Sequence, residues 1–177
     1  HVGAFRLQGK PMGEQSGYPE PANNPVWDGE PDISGRIVRW VFLESDCGVT
    51  SETSRAKLTR GKWIKGSAKY TYLGATEIFK RKKKQAWVKI NDNEPEIVDF
   101  SMLAATTTEM FGGGFKVCPG ASPILEHGHL CHAWGLSKLQ MLMLMGPLKK
   151  GKHVGKWGIE FKPCTRLEIR SVDANGE

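Results

Sequence analysis

The residues with the clearest chemical potential lie in one short segment, His-Gly-His-Leu-Cys-His. It places His127, His129, Cys131 and His132 within six residues, and imidazole and thiolate are the ligands that zinc prefers. On a strand, alternate side chains share a face, so His127, His129 and Cys131 would project together. On a helix a different set would face one side. The spacing matches no standard zinc signature, so a zinc site here depends on the secondary structure.

The first residue offers a second metal chemistry. A free N-terminal His1 can bind copper through its amine and its ring, with His127, His129, His132 or His153 completing the site. A small, β-rich chain that begins with histidine and has four cysteines resembles the secreted copper-dependent polysaccharide monooxygenases. That resemblance implies bound copper and an oxidative activity on polysaccharides, provided that His1 is the mature terminus.

Other catalytic arrangements are not indicated by the sequence. Cys131 is next to His132, but neighbours in sequence rarely face each other, and no carboxylate pair stands out among the scattered acids. Cys47, Cys118, Cys131 and Cys164 form no CxxC motif, so both two disulfides and four reduced thiols stay open. We therefore predict no catalytic residues and favour a protein that is not an enzyme.

Positive charge is concentrated in one part of the chain. Residues 55–89 contain twelve basic residues and one acidic residue, a net charge of +11. Such a segment attracts polyanions by releasing their counterions, and nucleic acid or an anionic membrane surface is the expected partner. Lysines that protect an edge strand, or a nuclear-targeting run, are the alternatives. The residues predicted to contact a polyanion are Arg60, Lys62, Lys65, Lys80, Arg81, Lys82, Lys83, Lys84, Lys149, Lys150 and Lys152.

The elements that would position these residues are mostly strands. Frequent turns and short apolar runs predict a mainly β fold, a sandwich or barrel of short antiparallel strands with one or two short helices. Strands are predicted at 36–43, 69–73, 76–79, 85–90, 138–145, 154–162 and 165–170. Segment 49–62 reads as a helix or a loop, and helices are expected near 99–111 and 122–134.

The N-terminal part differs from the rest in composition. Residues 1–34 are rich in proline and carry a net charge of −3, which predicts an extended acidic arm because proline blocks helices and central strands. Residues 35–177 are predicted to form a single β-rich domain. The longest apolar run, 139–145, is far shorter than the roughly 20 residues of a membrane-spanning helix.

The arm, the basic segment and the absence of a recognisable catalytic motif together predict a function. We expect a non-enzymatic, self-assembling structural protein of the viral coat, matrix or virion-tube type, which forms homo-oligomers and contacts polyanions. A monomeric nucleic-acid-binding domain and the copper monooxygenase are the alternatives. No cofactor is expected apart from the zinc or copper named above. An intracellular or virion location is favoured, and secretion stays open because the chain starts at His1.

Overall fold

The computed structural model describes residues 5–9, 37–41, 44–61, 63–111 and 113–172. Most of the predicted acidic arm, together with His1 and Lys62, therefore lies outside the described residues. The division into an arm at 1–34 and a domain at 35–177 stays a prediction. No helix within the described ranges is long and apolar enough to cross a membrane.

The described residues form eight strands and three helices. The strands are β1 (Phe5–Gly9), β2 (Ile37–Val41), β3 (Glu44–Gly48), β4 (Gln85–Ile90), β5 (Glu96–Thr106), β6 (Gly128–Trp134), β7 (Glu160–Cys164) and β8 (Leu167–Ser171). The helices are α1 (Val49–Thr59), α2 (Ser67–Lys80) and α3 (Lys138–Lys149). Strands β1 and β2 pair with each other, and the other six form one antiparallel sheet.

The long strand β5 organises the six-stranded sheet. Its residues 100–106 pair with β6 along one edge, while β3 and then β4 pair with consecutive parts of the other edge. Strand β7 continues the sheet beyond β6, and β8 continues it beyond β4. Strand β5 thus belongs to both halves of the sheet, and the sheet folds over on itself.

Two hydrophobic cores lie on the two faces of this sheet. The inner core lies between the folded halves and includes Ala86, Val88, Ile90, Leu103 and Leu130. The helix-side core lies between the other face and the three helices. Because successive side chains of a strand point to opposite faces of the sheet, Leu130 of β6 packs in the inner core and Cys131 packs in the helix-side core.

Local sequence features mark the start of helices α1 and α3. Gly48 joins β3 to α1 with φ +81°, and a Cβ there would lie 2.5 Å from the carbonyl oxygen of Ser101. Only glycine fits both constraints. Helix α3 begins with a capping box, in which Ser137 and Gln140 each bond the other's backbone N–H.

The structure confirms the predicted mainly β class, with three helices instead of one or two. Strand 85–90 matches β4, and 49–62 contains helix α1. The predicted strands at 69–73, 76–79 and 138–145 are wrong, because these residues form α2 and α3. The helices expected near 99–111 and 122–134 are also wrong, since β5 and β6 occupy most of them.

Candidate functional site

An apolar cavity of about 90 Å³ lies between the helices and the sheet. All three helices contribute walls, with Val49 from α1, Ile78 from α2 and Leu144 from α3. Met102 of β5 and Phe115 of the β5–β6 connection complete it. The cavity is partly open to solvent. Concave apolar sites of this kind bind the hydrocarbon parts of small molecules.

Helix α2 supplies the centre of the cavity wall. Tyr70, Leu73, Gly74, Glu77 and Ile78 follow the i, i+3, i+4, i+7, i+8 spacing that places side chains on one helical face. Gly74 lines the cavity, and a Cβ added there would lie 3.1 Å from the terminal methyl carbon of Met145. Open space beside α2 therefore depends on the missing side chain at position 74.

Two carboxylates of β3 lie near one side of the cavity. Asp46 is among its lining residues, and alternation along the strand places Glu44 on the same face. Burial, with the charge of Asp46 as a smaller cause, raises the pKa of Glu44 to about 7. Burial also raises the pKa of Asp46, against an opposing hydrogen bond to Thr50. One oxygen of each carboxylate is buried without a hydrogen-bond partner, so ionisation of either group costs more than it does in water.

The outer surface of the helix layer carries several exposed apolar side chains. Each helix turns one face toward the helix-side core, so residues on the opposite face form the outer surface of the layer. Leu58 of α1, Tyr72 and Phe79 of α2, and Leu139 and Met143 of α3 occupy those opposite positions and are exposed. We call these five residues the outer apolar patch. Exposed apolar side chains grouped in this way mark an interaction surface.

Many of the predicted polyanion-binding residues are exposed at the ends of these helices or in the connections next to them. Lys80 ends α2, Lys149 and Lys150 lie at the end of α3, and Lys65 precedes α2; all four are exposed. Lys152, Lys82, Lys83 and Lys84 are also exposed, in the connections that follow α3 and α2. Residues 80–84 thus join the end of α2 to β4, instead of joining the two strands predicted at 76–79 and 85–90.

Two of the predicted polyanion-binding arginines make contacts inside the fold. Arg60 forms an ion pair with Glu77, a mostly buried residue of α2. Arg81 donates hydrogen bonds to the carbonyl oxygen of Phe100 and, at 3.5 Å, to the hydroxyl of Ser101. Both guanidinium groups therefore stabilise the junction of α2 with its neighbours, and the lysines carry the accessible charge.

The histidine-rich segment forms strand β6 and is divided between its two faces. The ring of His129 stacks on Phe161 and lies 5.0 Å from the ring of His127. The ring of His132 stacks on Trp134, on the opposite face. Burial, assisted by the charge of Lys162, lowers the pKa of His132 to about 4. Within the described residues, no group of three or more His, Cys, Asp or Glu side chains is placed to hold a metal ion.

The cavity could hardly be predicted from sequence patterns. Its lining residues come from β3, α1, α2, β5, the β5–β6 connection and α3, and no short motif joins them. One useful signal was the capping box at Ser137 and Gln140, which would have placed the run 139–145 on a helix. The other was the helical spacing of apolar residues from Tyr70 to Ile78.

Comparison with known proteins identifies a family. A family model described as the YegS C-terminal NAD kinase beta sandwich-like domain matches residues 46–177. No curated protein sequence is significantly similar to the chain.

A solved structure of low sequence identity has a related fold. A structure described as a candidate diacylglycerol kinase from Bacillus anthracis str. Sterne has a TM-score of 0.51 and 13% identity, and the match covers 75% of this chain and 44% of that one. Another, described as a diacylglycerol kinase from the same organism, has a TM-score of 0.48 and 10% identity, over 75% and 43% of the two chains. The chain thus spans less than half the length of either structure.

These matches correct the functional prediction. The expected self-assembling structural protein of the viral coat, matrix or virion-tube type is wrong, because the matching family is a kinase-like domain family. The family model describes neither a nucleic-acid-binding domain nor a copper monooxygenase, so both alternatives are withdrawn. Since the model matches residues 46–177 of 177, the chain belongs to the family of YegS C-terminal NAD kinase beta sandwich-like domains.

Proposed function

We propose that this domain binds the acyl part of a lipid alcohol, such as a diacylglycerol, within an enzyme that phosphorylates the lipid. The observation that carries the proposal is the apolar cavity beneath α1, α2 and α3. The family match and the diacylglycerol kinase descriptions of the similar structures give the reaction class.

The size of the cavity limits what it can hold. A dry apolar cavity of roughly 150 Å³ binds benzene in a well-studied protein, so a cavity of about 90 Å³ accommodates several methylene groups. Each buried methylene contributes about 0.8 kcal/mol, which corresponds to about fourfold in affinity per methylene. Affinity should therefore rise with acyl length and then level off once the cavity is full.

The matched pair Gly74→Leu and Gly146→Leu tests this binding site. Both changes replace a helical glycine by leucine, a good helix former, which adds up to about 1 kcal/mol of helix propensity. At Gly146 the following Pro147 opposes part of that gain. At Gly74 the new side chain enters the cavity, whereas Gly146 is exposed and an added Cβ has nothing within 4 Å. The measurement is binding of dihexanoylglycerol and dioctanoylglycerol, with NAD as a competitor.

The expected result separates the two variants. Gly74→Leu should bind dioctanoylglycerol at least about tenfold more weakly than the wild type, the loss that corresponds to roughly two buried methylenes, while Gly146→Leu binds normally. Equal binding by both variants would contradict the cavity as the acyl site. Binding of NAD with no binding of either diacylglycerol would overturn the choice of substrate class.

We further propose that the outer apolar patch and its surrounding lysines contact an anionic membrane surface. The segment 138–152 has four lysines and no acidic residue, so the α3 side of the patch is uniformly cationic. Apolar side chains that enter the interface and lysines that meet lipid phosphates act together in peripheral membrane binding. This arrangement would bring the cavity close to the membrane that supplies its lipid.

Vesicle binding tests the membrane contact. Each of Lys80→Gln and Lys150→Gln should weaken binding to phosphatidylglycerol vesicles about fivefold, the effect of roughly 1 kcal/mol per lysine. Lys89→Gln is the matched control, because Lys89 lies on the face of β4 turned away from the inner core. Paired Phe79→Ser and Leu139→Ser changes should weaken binding further. Binding that is equal for the Lys80, Lys150 and Lys89 variants would refute this surface.

A further inference from the structure

The connection between α3 and β7 is held at two buried residues and exposed between them. His153 is fully buried, and its Nε2 lies 2.9 Å from the carbonyl oxygen of Val117 in the β5–β6 connection. Ile159 is 1% exposed and belongs to the helix-side core. Every residue from 154 to 158 is exposed. We call the residues 152–158 the Trp157 loop; the fold presents them to solvent between two fixed supports.

Backbone hydrogen bonds close the Trp157 loop on itself. The N–H of Lys156 donates to the carbonyl oxygen of His153 at 3.0 Å, and the N–H of Ile159 donates to that of Lys156 at 3.0 Å. The N–H of Gly155 donates in turn to the carbonyl oxygen of Ile159 at 2.9 Å. The loop therefore has a defined backbone shape that does not depend on a partner.

Trp157 occupies a backbone conformation that bulky residues rarely adopt. Its φ is +48°, in the left-handed region, where Cβ crowds the following carbonyl oxygen. Gly155 and Gly158 have φ values of +79° and +76° without that cost, because glycine has no Cβ. The side chain of Trp157 is 43% exposed, so packing within the domain offsets the strain only in part. Strain of this kind is typical of ligand-binding segments.

The Trp157 loop lies in a part of the chain that is exclusively cationic. Residues 127–159 include five lysines and no aspartate or glutamate. Lys152 and Lys156 are exposed, and neither forms an ion pair with any residue that the structure describes. Glu160, the first acid that follows, forms an ion pair with Lys162. The loop can therefore meet a negatively charged partner without breaking an ion pair of its own.

We propose that the Trp157 loop inserts into the headgroup region of an anionic membrane, with the indole ring of Trp157 as its deepest contact. Tryptophan is enriched at the membrane–water interface because its ring is apolar while its N–H is polar. Val154, which is 41% exposed, adds a second apolar side chain. Lys152 and Lys156 meet the phosphates of the anionic lipids.

Insertion of the Trp157 loop rests on the membrane contact proposed for the outer apolar patch, and it extends that contact to a segment outside the patch. Helix α3 carries Leu139 and Met143 of the patch and leads directly into the loop. A lipid surface accounts for both exposed apolar side chains of the loop, whereas a nucleic-acid strand would stack on Trp157 alone.

The experiment measures binding of the full chain to phosphatidylglycerol vesicles together with its thermal unfolding. Trp157→Ala and Trp157→Gly should each bind roughly tenfold more weakly than the wild type, the effect of losing part of a large apolar contact. The glycine variant should nevertheless unfold about 2–4 °C higher than the alanine variant, because glycine tolerates the positive φ. Equal losses of binding at unequal stability would separate the role of the ring from that of the fold.

Two further variants serve as controls. Trp157→Tyr keeps an interfacial aromatic ring and should bind nearly as the wild type does, while the quenching of tryptophan fluorescence by brominated lipid should decrease. Ile124→Ser removes an apolar side chain that is 81% exposed, in a stretch, 117–137, that contains no lysine or arginine. This variant should bind vesicles nearly as the wild type does.

The contrary results differ in what they overturn. Unchanged vesicle binding by Trp157→Ala, or an equal loss in Ile124→Ser, would overturn insertion of the loop and leave the outer apolar patch in place. Loss of oligothymidylate binding in Trp157→Ala, with vesicle binding unchanged, would assign the loop to nucleic acid instead. A wild-type protein that binds no vesicles would overturn both the loop and the patch as membrane contacts.

Discussion

The two cores of the domain differ in the residues that form them and in the cavity that one of them contains. The inner core, between the folded halves of the sheet, is made of aliphatic residues such as Val88, Leu103 and Leu130, which are at most 1% exposed. The helix-side core contains the cavity, the buried thiols and a neighbouring pair of carboxylates. A tightly buried aliphatic cluster stabilises the fold, whereas a core that contains a cavity has room for a ligand. On the function proposed above, we expect the inner core to contribute mainly to stability and the helix-side core to carry the ligand site.

The largest expected effect concerns leucines in the two cores. Leu103→Ala should lower the free energy of unfolding by about 4 kcal/mol, because a fully packed site leaves a full cavity behind. Leu144→Ala should cost about 2 kcal/mol, since Leu144 already borders open volume. Urea unfolding measures both. A larger loss for Leu144→Ala would reverse the comparison.

The next effect concerns His132, on the face of β6 that turns toward the inner core. Its pKa of about 4 in the folded protein lies below that of an unfolded histidine, so the unfolded state takes up the proton first. His132 therefore makes its full contribution to the free energy of unfolding above pH 6.5. As the pH falls toward 4, that contribution is lost, by up to about 2–3 kcal/mol. His132→Phe should flatten that part of the pH profile in thermal unfolding. An unchanged slope between wild type and variant would show that His132 is not held neutral.

Glu44, on the helix-side face, should give the opposite pH dependence. Its folded pKa of about 7 lies above the unfolded value, so its contribution is present below pH 4.5 and is lost as the pH rises through 7. Glu44→Gln should raise stability at pH 8 by about 1–2 kcal/mol, a figure reduced for partial exposure. At pH 4 the variant and the wild type should unfold alike. A loss of stability at pH 8 would instead mean that the Glu44 carboxylate is bound by a charged partner.

The smallest effect serves as a baseline outside both cores. Gly146→Ala on the exposed side of α3 should change stability by less than about 1 kcal/mol, because the gain in helix propensity is opposed by the restriction that Pro147 places on the residue before it. Apart from its chain neighbours, an added Cβ there meets nothing within 4 Å, so no change in tertiary packing is expected. A loss larger than this would show that the exposed side of α3 is constrained in a way that its surroundings do not indicate.

Sequence patterns predicted the parts of the fold whose signal is local. The alternation Ala86, Val88, Ile90 identifies β4 because one strand face is buried and the other is not. Helix α2 was missed because Tyr-Thr-Tyr at 70–72 has high strand propensity, which the packing of Leu73 and Ile78 overrides. Helix α3 was missed because leucines and methionines alternate from Leu139 to Met145 and mimic a doubly buried strand.

The candidate site was beyond sequence reasoning for a different reason. Its cavity exists because Gly74 faces Met145 and because β5 passes beneath both, and these residues are far apart in the chain. Cys118 and Cys131 enter the same core only after the β5–β6 connection packs against β6. Basic residues were easier to identify, since charge is a property of composition, but their division into structural arginines and exposed lysines required the fold.

Photocrosslinking tests the central claim most directly. A diacylglycerol with a diazirine near the end of one acyl chain should label peptides from α2 and α3, the helices that carry Gly74 and Leu144 on the cavity wall. The label should be lost in Gly74→Leu and kept in Gly146→Leu. Labelling that avoids both helices, or that is equal in the two variants, would contradict the assignment of lipid binding to the helix-side core.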